Sequence, residues 1–145
     1  MDDGAYLATR LVIEVARLHQ KGLCIADLLA DLSEPAESCE FRLAIRTDAF
    51  RDFGQSLIQA LFAYADTQPS FQLAPENHEG IRVQFSPEEG DGWFLLRLSL
   101  HEPLIAINIE SERAGGVHTI AQQLMKFLSA YQGELELSPL ASYLT

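Results

Sequence analysis

Apolar positions change their spacing several times along the chain, and each change marks a different kind of element. Leu7, Leu11, Val15 and Leu18 recur at helical spacing and predict a helix over 3–21, with Asp3 placed to cap it and Gly22 to end it. A second, shorter helix is predicted over 25–32, with Leu28, Leu29 and Leu32 facing inward. Ser33-Glu34-Pro35-Ala36 then breaks the pattern. From there Phe41, Leu43 and Ile45 alternate with Glu40, Arg42 and Ala44, so 39–46 reads as a strand with one buried face. Thr47 or Asp48 is placed to cap a long helix to about residue 66, whose inner stripe is Phe50, Phe53, Leu57, Leu61 and Tyr64.

Phe71–Leu73 predicts a short extended segment framed by prolines. Ile81, Val83 and Phe85 then alternate with Arg82 and Gln84, and a polar turn from Ser86 to Gly92 leads into a strand at Trp93–Leu98, which together predict an antiparallel hairpin. Leu104–Glu110 is a third strand of this run, with Ile105, Ile107 and Ile109 on one face. After Gly115-Gly116 a last helix carries Val117, Ile120, Ala121, Leu124, Leu128 and Tyr131 on its stripe. The fold class is α+β: an antiparallel sheet of about four strands, helices packed on one face, preceded by one or two helices. Residues 1–35 form the helical piece and linker, 36–132 the main domain, and 133–145 a tail without an assigned element.

Charge narrows the function. The 145 residues carry a formal charge of −11, with 10 basic against 21 acidic side chains and no basic cluster. Nucleic acid is therefore excluded as a general partner. No apolar run is long enough to span a membrane, and Met1-Asp2-Asp3 does not open a signal peptide, so a cytoplasmic protein is expected. Cys24 and Cys39 have neither zinc nor redox spacing and read as small apolar thiols. An anion site in such a chain must be built from single arginines, hydroxyls and backbone amides.

The strand at Trp93–Leu100 offers one. Period two places Phe94, Leu96, Leu98 and Leu100 on one face and Trp93, Leu95, Arg97 and Ser99 on the other. Arg97 and Ser99 thus point the same way at a strand end, just before the tight loop that precedes Pro103. A guanidinium, a hydroxyl and turn amides converging there make an anion cradle. For an isolated arginine on a strand, a surface ion pair of little energetic consequence is the commoner explanation, and strand geometry alone does not outweigh it. Elsewhere His19, His78 and His118 lack metal-ligand spacing, and Glu88-Glu89-Gly90-Asp91 reads as a solvated hairpin tip. Gly115-Gly116 turns the chain, although a helix N-terminus there offers an anion a second place.

Three stretches carry a family resemblance: Glu79-Gly80-Ile81-Arg82-Val83; Gly92-Trp93-Phe94-Leu95-Leu96-Arg97 with the loop after it; and Ile109-Glu110-Ser111. Together they resemble the last, TATA-binding-protein-like domain of the α-D-phosphohexomutases, closest to the phosphomannomutase/phosphoglucomutase branch. Asp3-Gly4-Ala5-Tyr6-Leu7 onward is similar to the last helix of that family's third domain. The likeness reaches to about residue 131. It implies a loop of the form Arg-x-Ser-Asn-Thr-x-Pro that grips the phosphate of a hexose phosphate. Arg97, Ser99 and Pro103 match that loop, while Leu100 stands where the family has Asn and His101 where it has Thr. Leu100 therefore contributes at most its backbone N–H, and His101 can still donate. The implied phosphate-binding set is Arg97, Ser99, Leu100 and His101, with no catalytic residue in this chain.

The family's phosphoserine loop, its Asp-x-Asp-x-Asp-type Mg²⁺ loop and its sugar-reading loop are all missing from this sequence. The resemblance thus implies an enzyme whose other domains supply phosphoryl transfer and Mg²⁺, and a chain that by itself only positions substrate. The other reading is a stand-alone acidic α+β interaction module that docks through Leu7, Leu11, Val15 and Leu18.

Overall fold

The computed structural model describes residues 4–145, which fall into two compact units, one ending at Glu34 and one spanning Pro35–Thr145. The first holds helix α1 (Gly4–Gln20) and a single 3₁₀ turn at Ile25–Leu29. Gly22 ends α1 as expected: at φ 73° it takes the left-handed conformation, and the Leu23 amide reaches back to the Leu18 carbonyl at 3.0 Å. The proposed Asp3 cap lies outside the described residues. The inward placement of Leu28, Leu29 and Leu32 does not hold, since all three are exposed. So are Leu7, Leu11 and Val15 of the α1 stripe, while Leu18 is buried. This unit has the apolar pattern of a helical layer without a second layer of its own to bury it.

The second unit is built on a five-stranded antiparallel sheet, ordered β1-β5-β4-β3-β2, from β1 (Glu37–Ala44), β2 (Gln72–Leu73), β3 (Ile81–Phe85), β4 (Gly92–Leu98) and β5 (Leu104–Ser111). The fifth strand is the short segment expected at Phe71–Leu73, which pairs with β3 over two residues. Alternation put the right residues inside: Phe41, Leu43, Ile81, Val83, Phe85, Phe94, Leu96, Ile105, Ile107 and Ile109 are all buried on one face. Helices α2 (Phe50–Ala65) and α3 (Gly116–Leu128) cover that face through Leu57, Leu61, Val117, Ile120, Leu124 and Leu128. The opposite face carries Glu40, Arg42, Arg82, Trp93, Arg97 and Asn108.

Two helix starts differ from expectation. Neither Thr47 nor Asp48 caps α2; the cap position is Ala49, whose carbonyl accepts the Phe53 amide, because a turn at 47–49 carries both polar residues past it. At α3 the cap comes from a distant strand. Glu37 of β1 accepts from the Gly115 amide at 2.7 Å and the Val117 amide at 3.1 Å. This carboxylate fills the place an external anion would take, so Gly115-Gly116 is a turn and not a ligand site. Replacing Glu37 by Ala is expected to lower unfolding free energy by about 1 kcal/mol, the usual effect of losing an N-cap. Urea denaturation reads it directly, and an unchanged midpoint would show that the carboxylate contributes nothing.

The tail is a packed part of this unit. Ile45 bridges Leu135, the Arg46 amide donates to the Glu134 carbonyl, and the Glu136 amide donates to the Ala44 carbonyl. Helix α4 (Ser138–Tyr143) follows, with Leu140 buried and Tyr143 set edge-on against Phe41 at 5.3 Å. The Arg46 guanidinium beside Glu136, helped by the Ser138 amide, holds this carboxyl well down, from an ordinary 4.5 to about 2. A lowered carboxyl stabilises the fold above pH 4.5 and loses that contribution as pH falls toward 2. Both side chains are half exposed, so the effect is small and weakened by salt. Glu136→Gln should therefore lower the melting temperature slightly above pH 4.5, converge with the unaltered chain near pH 2, and so flatten the profile within that acid window.

Candidate functional site

The loop between β4 and β5 closes as a hairpin whose own bonds fix its shape. The Ser99 amide donates to the Leu104 carbonyl at 3.0 Å, and the Leu104 amide donates to the Glu102 carbonyl at 2.8 Å. The Ser99 hydroxyl accepts the Glu102 amide at 3.3 Å. The Pro103 carbonyl takes the Ile45 amide at 2.7 Å, tying the loop to the end of β1. From α2, Arg51 donates to the Leu100 carbonyl at 3.4 Å. With the Leu100, Glu102 and Pro103 carbonyls and the serine hydroxyl engaged, the loop leaves the Leu100 and His101 amides without an acceptor among the described residues. Unused N–H groups at a tight turn are what an anion would take.

Arg97, Ser99, Leu100 and His101 line one cavity of about 180 Å³ at the end of the sheet. All four residues expected from the sequence are thus brought together. The placement of Leu100 on the inner face is corrected: β4 ends at Leu98, the chain leaves the ladder at Ser99, and the Leu100 side chain is 78% exposed. It is a lip of the cavity and no part of the core. His101 is exposed and makes no bond among the described residues.

Arg97 is the informative member. In a chain with 21 acidic residues, its guanidinium has no ion pair and no hydrogen bond among the described residues. It also borders a second cavity of about 340 Å³, lined by Gln55, Ile58, His78, Glu79, Leu98 and Leu100, and so stands between two hollows. A larger opening of about 460 Å³ lies at the far end of the sheet. Asp91 and Glu112 are its only charged residues, which suits no anion.

Beside the apolar Leu98, Leu104 and Ala106, sequence reasoning missed the second arginine of the lining, Arg42 of β1. Its outward direction was readable from alternation, but its nearness to Arg97 depends on β5 lying between β1 and β4. The register pairs Arg42 with Ala106 and Ala106 with Arg97. Among the described residues no group of three or more His, Cys, Asp or Glu side chains is placed to hold a metal. No helix there is long and apolar enough to cross a membrane.

No family model and no curated protein matches this sequence. Among solved structures, a phosphoglucomutase/phosphomannomutase family protein from Burkholderia thailandensis is similar, with a TM-score of 0.52 at 24% identity. The likeness covers 91% of this chain and 24% of that one. At that identity it establishes the fold: an α+β arrangement, antiparallel sheet under helices, of the kind found within a phosphoglucomutase/phosphomannomutase family protein. This chain spans about a quarter of that protein's length.

Proposed function

We propose that this chain is the C-terminal part of a phosphomannomutase/phosphoglucomutase and that the Arg97–Pro103 loop holds the phosphate of its hexose-phosphate substrate. The observation that carries the reading is the unpartnered Arg97 guanidinium beside two open amides, in a fold shared with a phosphoglucomutase/phosphomannomutase family protein. Holding the phosphate already on the sugar leaves the other end of the hexose presented to a phosphoserine in another domain. A grip that reads phosphate and not the sugar serves both orientations of a bisphosphate intermediate, so the loop's work is positioning. Mg²⁺ belongs to another domain of that parent, and this chain has no part in holding it.

The open apolar stripe of α1 fits a helix covered by the rest of a longer protein. It also fits a stand-alone interaction module, the second reading. Activity of the full-length polypeptide separates the two. Interconversion of the 1- and 6-phosphates of glucose or mannose is expected from it, and none from residues 1–145 alone. A full-length polypeptide without mutase activity overturns the proposal, and turnover by the isolated chain overturns the division of labour.

A further inference from the structure

The loop is short of donors for a phosphate. Leu100 offers no side-chain polar atom, and the Ser99 hydroxyl, which accepts the Glu102 amide, has a single O–H left to give. A second guanidinium stands at the same place. Arg42 and Arg97 flank Ala106 in register, two strands apart, so their backbones are separated by about 10 Å on the open face. Only the Ala106 methyl lies between them, a low floor over which two long side chains can converge.

Arg42 is held from both sides by carboxylates. Its Nε donates to Glu40 Oε1 at 2.9 Å, and the other oxygen of Glu40 accepts from Asn108 Nδ2 at 3.5 Å. Its Nη1 lies 4.0 Å from Glu102 Oε2, and Glu102 belongs to the phosphate loop itself. The first contact has hydrogen-bond geometry and orients the guanidinium. The second is loose, with both side chains mostly exposed, and such a pair is worth little. A guanidinium anchored through Nε keeps its outer N–H groups for a planar, two-point grip on phosphate.

Resting on the phosphate-loop reading above, we propose that Arg42 is the second cation of this site and that Glu102 is its resting counter-ion, displaced when a phosphate monoester binds. The exchange is favourable because a monoester brings nearly two negative charges and three acceptor oxygens against one carboxylate. Arg42 then supplies the donors that Leu100 cannot. The site consequently prefers a terminal phosphate monoester to a singly charged anion such as a carboxylate.

The test is an NMR titration of the 145-residue chain with glucose 1-phosphate, with glucose as the uncharged control. The Leu100 and His101 amides and the Nε–H signals of Arg42 and Arg97 are followed. Arg42→Gln is expected to weaken binding about tenfold, the scale of one bond to a charged group. Arg97→Gln should weaken it at least as much. Glu102→Gln should tighten binding about threefold, the size of an exposed pair released. Arg42→Lys guards against a folding artefact: it keeps charge and strand but loses the two-point geometry, and should fall between the unaltered chain and Arg42→Gln. If Arg42→Gln binds like the unaltered chain while Arg97→Gln does not, the role of Arg42 is overturned and the loop reading stands. If Glu102→Gln binds no tighter, Glu102 is not the counter-ion. An unaltered chain that shows no shifts at Leu100 and His101 overturns the loop reading and this proposal with it.

Discussion

Phe94→Ala is expected to lower the unfolding free energy by about 3–5 kcal/mol, the range for emptying a fully buried aromatic site. Phe94 has no exposed surface and sits mid-strand in β4, in register with Val83 of β3 and Ile109 of β5. Its ring is 5.9 Å from those of both Phe71 and Phe85, so the truncation also dismantles an aromatic cluster. Rigid neighbours on three sides restrict collapse into the space, which keeps the cost in the upper part of the range. A domain of this size typically holds about 5–15 kcal/mol in total, so the variant should be largely unfolded at modest urea concentrations. Leu100→Ala is the control: the same strand continued into the loop, but an exposed side chain whose loss should stay within about 0.5 kcal/mol. A Phe94→Ala loss no larger than that of Leu100→Ala would mean the core does not lie where the sheet places it.

The second large effect is functional. If the proposed function holds, Arg97→Ala in the full-length polypeptide should reduce kcat/KM for hexose-phosphate interconversion by about 10- to 150-fold, corresponding to roughly 1.5–3 kcal/mol for a bond to a charged group. The fold should not notice, because Arg97 is exposed and has no partner to orphan. An unaltered urea midpoint alongside a fallen kcat/KM separates substrate binding from structural damage. Arg97→Lys should recover only part of the loss, since an ammonium lacks the planar fork. If kcat/KM is unchanged in Arg97→Ala, the loop does not hold substrate.

How much of this was readable in the sequence depended on whether the deciding contacts were local. Period-two alternation placed Phe94, Leu96 and the β5 isoleucines correctly, because a strand with one buried face fixes the direction of each side chain. The same rule failed at Leu100, two residues past the end of β4, because periodicity does not announce where a ladder stops; the Ser99–Glu102 bond within the loop decides it. Of the site, Arg97, Ser99, Leu100 and His101 were found together because they are neighbours in sequence. Arg42 was not, since its place beside Arg97 follows from strand order. Glu37 escaped for the same reason: a carboxylate nearly eighty residues upstream caps α3, and no local signal links them. The inward reading of Leu28, Leu29 and Leu32 failed for a different cause, since apolar patterning reports that a face wants burial and not what supplies it.

The tail has a further consequence for the sheet. Residues 134–136 engage the outer side of β1 where it ends, and β2 closes the other side with only two residues. A polypeptide ending at Gln132 would leave the Ala44 carbonyl and the Arg46 amide bare and uncover Phe41, which Tyr143 now shields. Unpaired strand groups beside an apolar surface are a template for aggregation. Residues 133–145 thus cover a strand end that would otherwise be open to pairing with another chain, a task unconnected with any ligand.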